Sequence, residues 1–227
     1  MLKIDPATER VTTVGQPLSI HGKQKWDSVA PGDDGRLYCS PRTSDYVLCI
    51  DVTAQSVYCV GGKLADTLGM RQIYKASGGA CAAADGSVYM IHHFMDSKIL
   101  RVAPPTPEWA PRISLLPTSK EGFGEGWWLG AALGPDGCIY YMPGEANRVL
   151  RWDPATKTKS LIGPQLFTGS SAGLDHKWVC GVLGTDGCIC ARGQFRTRSE
   201  PLLQPLLVAA SPAVSVSCRS LSCSLSC

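Results

Sequence analysis

The sequence predicts an all-β chain of four-stranded blades of about 50 residues, the architecture of a β-propeller. Three observations predict it. Asp-Gly recurs at Asp34-Gly35, Asp85-Gly86, Asp136-Gly137 and Asp186-Gly187, with the glycines 51, 51 and 50 residues apart. A tryptophan stands nine residues before three of these glycines, at Trp26, Trp128 and Trp178, and Ser77 takes its place in the second copy. Short apolar alternations follow every pair, with Tyr38, Tyr89 and Tyr140 in three copies and Cys190 in the fourth.

Each unit reads as four short strands, A to D. Strand A is rich in small residues (Ser28, Gly79-Ala80, Gly130-Ala131-Ala132, Gly181), as strands converging on one axis require. Asp-Gly between two apolar alternations predicts a tight A–B hairpin with a type I′ turn, which needs positive φ at both central residues. Strand B is followed by Pro41 and Pro143 in two copies, then by strand C: Val47 to Asp51, Ile99 to Ala103 and Val149 to Asp153, with Leu2 to Asp5 in the same slot. Asp-Pro-Ala-Thr at Asp5 and Asp153 joins C to D, because the Asp oxygen can accept a backbone N–H two residues on. Apolar-Gly pairs close the unit at Val14-Gly15, Val60-Gly61 and Ile162-Gly163. A short connector helix between Leu64 and Tyr74 is the one helical signal.

The chain thus begins with C and D alone and ends its repeat, at about Gly193, with A and B alone. The halves fit as one split blade, giving four blades if the ring closes; an open part of a larger propeller fits equally. Closure would place Leu2-Lys3-Ile4-Asp5 beside Cys188-Ile189-Cys190. Residues 1–198 form the expected propeller domain. Residues 199–227 are expected to be a low-complexity tail, rich in Leu, Ser, Cys and Pro, that adds no strand to the repeat.

Composition narrows the function. The chain has 227 residues, 44% hydrophobic and 18% charged, with net charge +3. All of that excess lies beyond residue 190, in Arg192, Arg196, Arg198 and Arg219 against Glu200. A neutral body argues against nucleic acid as a partner. No run of 18 apolar residues argues for a membrane span, and no apolar run of signal length follows Met1, so a cytoplasmic location is expected. No P-loop, G-x-S-x-G or H-E-x-x-H motif occurs.

The pattern Asp-Gly-x-apolar-Tyr, followed by apolar-Leu-x-apolar-Asp-Pro-x-Thr, resembles the blades of NHL-repeat, gluconolactonase-like and virginiamycin-lyase-like propellers over residues 1–193. The period is also kelch-like, although Gly78-Gly79 and Gly61-Gly62 stand where kelch blades do not carry their glycine pair. For gluconolactonase-like members the resemblance implies a metal at the ring axis, and its ligands have no counterparts placed on this chain.

Eleven cysteines include no C-x-x-C pair, so reduced thiols used as small hydrophobes are expected. Cys39 and Cys49 could face each other across a hairpin, and Cys188 and Cys190 share a strand face. The repeated tryptophans are expected to pack between blades. The B–C turns and D–A connectors share one end of a propeller, so Arg42, Asp45, His92, His93, Asp96, Glu145 and Asn147 from the turns gather there as the candidate ligand-binding set. His21, Lys25, His176 and Lys177 approach from the connectors. No metal ligand set and no cofactor is assigned. The function expected is a binding or scaffold module presenting this face to a protein or small-molecule ligand; the alternative is a metal-dependent hydrolase or lyase with its site at the axis.

Overall fold

The structure is a computed structural model that describes residues 1–18, 23–71, 74–92, 98–107, 109–116, 127–166 and 178–193, and a strand at 206–209. Three complete four-stranded antiparallel sheets follow one another: β3 to β6 (Trp26–Pro31, Leu37–Pro41, Val47–Asp51, Ser56–Val60), β7 to β10 (Ala80–Ala82, Val88–Ile91, Ile99–Ala103, Arg112–Leu116) and β11 to β14 (Trp128–Leu133, Ile139–Pro143, Val149–Asp153, Thr158–Ile162). These are blades 1 to 3. A two-stranded hairpin, β1 (Leu2–Asp5) and β2 (Arg10–Thr13), precedes them. A sheet of β15 (Trp178–Leu183), β16 (Cys188–Gly193) and β17 (Leu206–Ala209) follows. The helix α1 (Leu64–Thr67) sits in the connector after blade 1, where the sequence allowed one.

The A–B hairpins fall at all four Asp-Gly pairs, but their turn differs from the type I′ expectation. The Gly35 amide donates to Gly32 O at 3.2 Å, and the Gly32 amide to Arg36 O at 2.7 Å. The same pair of bonds recurs at the other three tips. Only the glycine of each pair has positive φ, at +76, +76, +76 and +79°. The tip is therefore a three-residue loop, a type I turn closed by a left-handed glycine. The aspartate stays right-handed because its side chain has another task. Its Oδ1 accepts the amide two residues on in all four copies. In three copies its Oδ2 accepts the tyrosine hydroxyl from strand B, at 2.8 Å for Tyr38 and Tyr89 and 2.9 Å for Tyr140. An arginine completes each group: Arg36, Arg101 or Arg151, at 3.1 to 3.3 Å.

The C–D tips behave as read. Asp5 accepts from Ala7 at 3.0 Å, Asp51 from Thr53 at 3.1 Å and Asp153 from Ala155 at 2.9 Å. Each tip ends in a left-handed residue that is not glycine: Glu9, Gln55 and Lys157.

The core lies between blades. Tyr38, Val47 and Cys49 of blade 1 pack with Val88, Met90, Leu100 and Val102 of blade 2. Tyr89 and Ile91 of blade 2 pack with Ile139, Tyr141, Leu150 and Trp152 of blade 3. Burying each such side chain contributes about 1.5–3 kcal/mol. The tryptophans do pack in these seams: Trp128 and Trp178 are buried in them, and Trp26 packs beside Val14 and Leu48. Their indoles also tie strand A to its own blade, Trp26 Nε1 donating to Tyr46 O and Trp128 Nε1 to Arg148 O, both at 2.9 Å. In the seam where Ser77 replaces tryptophan, Leu64, Met70 and Ala76 from the α1 connector fill the core.

Two further expectations change. The neighbour of β16 is β17, with Cys190 opposite Leu207, and β1 pairs with β2. Part of the C-terminal segment thus takes the strand-C position assigned to the first residues of the chain, because an unpaired β16 edge accepts any extended segment in reach. Cys39 and Cys49 do not face each other: Cys39 opposes Leu48 and Cys49 opposes Tyr38, so the thiols enter seams on opposite faces of the sheet. All described cysteines are unbridged.

Candidate functional site

The inner strands β3, β7, β11 and β15 come together because their side chains are small where they meet. A Cβ added at Gly79 would lie 2.3 Å from the Ala131 amide nitrogen, and one at Gly130 would lie 2.4 Å from Cys180 Cα. The Gly79 amide donates to Leu129 O across the seam. Bulges interrupt the pairing of β3 between Trp26 and Val29 and of β11 between Trp128 and Ala131, just before the strands converge. A cleft of about 340 Å³ remains where they converge. Asp27 and Ser28 line it from the β3 side, Ser77 to Gly79 from the segment before β7, Trp127, Leu129 and Gly130 from the β11 side, and Val179 from β15. Arg42 and Tyr74 complete it.

This cleft opens at the end where B–C turns meet D–A connectors, and backbone bonds lock the two together. The Arg42 amide donates to Lys25 O and the Lys75 amide to Arg42 O, both at 2.8 Å. The Glu145 amide donates to Trp127 O at 3.0 Å. The Arg42 guanidinium lies over the Tyr74 ring at 5.5 Å, with Nη1 3.7 Å from Asp27 Oδ2. Among the described residues Arg42 Nε, which is buried, has no acceptor, and neither has the hydroxyl of Ser77, a residue 3% exposed.

The sequence-derived residues divide by this geometry. Arg42 lines the cleft. Asp45 stands beside it but accepts Lys75 Nζ at 2.8 Å, with Lys63 Nζ at 3.8 Å, which fastens the B–C turn to the connector. His92 is 5% exposed, its amide bonded to Lys98 O. Glu145 is half-buried, and Asn147 is exposed, its carbonyl accepting the Leu166 amide at 2.9 Å. His93 and Asp96 lie outside the described residues, as do His21 and His176. Among the described residues no group of three or more His, Cys, Asp and Glu is placed to hold a metal ion. Asp27, Tyr74, Ser77 and Trp127 were not legible as site residues, although the break of the tryptophan series at Ser77 marks the place.

The repeated tyrosines and aspartates serve the fold. Burial and the Asp85 hydrogen bond push the Tyr89 hydroxyl up to about 12. Burial would raise the Asp85 and Asp136 carboxyls, but the tyrosine and backbone hydrogen bonds outweigh it and hold both below their ordinary value.

No protein-family model matches the sequence, and no characterised protein matches it. Solved structures do. Virginiamycin B lyase from Staphylococcus aureus, in a catalytically inactive form with quinupristin, is similar at 15% identity and a TM-score of 0.53, over 78% of this chain and 52% of that one. A streptogramin B lyase is similar at 11% identity and 0.54, over 81% of this chain and 66% of that one. A protein from Lactobacillus plantarum is similar at 11% and 0.54, over 85% and 54%. The chain spans about half to two thirds of the length of these structures. At such identities the likeness is one of fold. With the four-stranded antiparallel sheets it shows the fold to be that of a β-propeller.

Proposed function

We propose that this propeller module binds a small polar ligand in the cleft between its inner strands, with Arg42 as the principal donor and Tyr74 and Trp127 as apolar walls. The observation that carries the reading is the pair of polar groups in the cleft wall, Arg42 Nε and Ser77 Oγ, that lack an acceptor among the described residues. A buried donor without a partner costs about 1–3 kcal/mol, a cost that a bound acceptor relieves with a small shift of either side chain. A concave site with a few convergent polar groups is the usual form of a ligand pocket. The remaining turn residues Asp45, His92, Glu145 and Asn147 belong to the rim of this site in the same proposal, and His93 and Asp96, which lie outside the described residues, are proposed with them as ligand-binding residues. A melting-temperature screen against small carboxylates, phosphates and sugars tests it. A compound that raises the melting temperature of the wild type and loses that effect in Arg42→Ala and Ser77→Ala supports the reading. A stabilising compound equally effective on both variants contradicts it.

A second reading, a metal-dependent hydrolase or lyase at the axis, draws on the fold shared with two lyases. Metal analysis of purified protein separates the two. A stoichiometric divalent ion lost in His92→Ala/His93→Ala favours the enzyme.

A further inference from the structure

The three internal seams show what each face of a blade needs. On the face turned to the following blade, the repeat makes Ala30, Cys81 and Ala132 equivalent, and likewise Tyr38, Tyr89 and Tyr140. All six are buried, at 9% exposure or less. The same positions in β15 and β16 hold Val182, 68% exposed, and Cys190, also exposed. On the face turned to the preceding blade, Leu48, Leu100 and Leu150 are equivalent, as are Ile50, Val102 and Trp152, and all are 2% exposed or less. Their counterparts in the first hairpin are Leu2 at 65% and Ile4 at 61%, with Val11, opposite Ile4, at 57%. Val29 shares that direction and is 49% exposed, whereas its equivalents Ala80 and Ala131 pack into seams.

Leu2, Ile4, Val11 and Val29 on one side and Val182 and Cys190 on the other thus form two surfaces, one at each end of the described blade array, and they are opposite kinds. One is a following-blade face with no following blade among the described residues. The other is the preceding-blade face without a preceding blade. The strand β17 pairs with the edge of β16 and leaves Val182 and Cys190 exposed. Apolar surface of this kind, at positions that pack wherever a neighbour is present, marks an interaction site. We propose that the occupant is a second copy of this chain: the end bearing Val182 and Cys190 of one copy packs on the end bearing Leu2, Ile4, Val11 and Val29 of the other, head to tail. Each surface meets the kind of surface it meets in the internal seams. A twofold axis relating the copies uses both junctions and leaves neither end open, whereas an arrangement that failed to close would polymerise.

Light scattering on the eluting 227-residue chain tests the proposal. The expected mass is twice the 24.2 kDa of the chain. Val182→Glu and Ile4→Glu each place a charge on one end, at positions exposed enough to leave the fold intact, and each is expected to weaken association at least tenfold and give the single-chain mass. Mixing the two variants restores the double mass, because one unaltered end of each kind remains. Cys190→Glu and Leu2→Glu serve as the second pair should either variant lose its β-type circular dichroism. A single-chain mass for the wild type overturns the proposal. So does a double mass in both variants, or a mixture that stays at the single-chain mass.

Discussion

Two tyrosines of neighbouring blades, both buried, are expected to answer the same substitution with opposite signs. Tyr89 is 2% exposed and its hydroxyl donates to Asp85 Oδ2 at 2.8 Å. Tyr141 is fully buried and its hydroxyl has no partner among the described residues. Replacement by phenylalanine keeps the ring and its packing in both. In Tyr89→Phe it removes a hydrogen bond to a charged group, worth about 1.5–3 kcal/mol. The Asp85 side chain is 38% exposed, so water replaces part of what is lost and the lower end, about 1.5 kcal/mol, applies. For a chain of this size that is a fall of about 3–6 °C in melting temperature. In Tyr141→Phe the change removes a buried hydroxyl that has lost its water and gained nothing, so stability is unchanged or rises by up to about 1 kcal/mol. Urea unfolding followed by tryptophan fluorescence reads both. A Tyr141→Phe variant destabilised as much as Tyr89→Phe would instead show that the Tyr141 hydroxyl has a partner that the structure does not give it.

Three further outcomes follow from the same structure. Gly79→Ala, whose Cβ would meet the Ala131 backbone, should cost at least the 1–3 kcal/mol typical of overpacking, and Gly137→Ala, with open space around it and only a φ of +76° against it, about 1–2 kcal/mol; equal urea midpoints would contradict the close approach of the inner strands. Acid should unfold the protein through carboxyls held low: the stability from Asp85 and Asp136 is complete above the ordinary 3.8 and is lost as pH falls through their folded values, while that from Tyr89 is complete below 10.0 and lost as pH rises toward 12, so a midpoint that climbed from pH 5 to pH 3 would be incompatible with it. Ending the chain at residue 198 removes β17 and opens the β16 edge, and the melting temperature should drop; an unchanged value would mean that β17 contributes nothing.

The repeat carried most of the fold into the sequence, because a hairpin tip needs particular residues at fixed offsets. Asp34, Asp85, Asp136 and Asp186 marked every A–B turn, and Asp5 and Asp153 marked two C–D turns. The turn type was misread because Asp-Gly serves two hairpin forms. What accompanies the three-residue form at all four tips is the aspartate Oδ1 accepting the amide two residues on, and in three of them a tyrosine hydroxyl four residues on adds a second bond. The site was less legible. Arg42 was found through its place on a B–C turn, but Asp27, Tyr74 and Trp127 reach the cleft through bulges and an irregular connector that no periodicity reports. The partner of β16 was misjudged for a related reason: an edge accepts any extended segment within reach, and Leu206–Ala209 has no turn signal to announce it.

The central claim is that inner strands from successive blades meet backbone to backbone around the cleft that holds Arg42. Proton–proton contacts in nuclear magnetic resonance spectra of the isotope-labelled chain test it most directly. The structure predicts cross-peaks between Gly79 and Ala131 and between Gly130 and Cys180, residues about 50 positions apart in sequence. Spectra that show the hairpin contacts within each blade but none between these pairs would contradict the account.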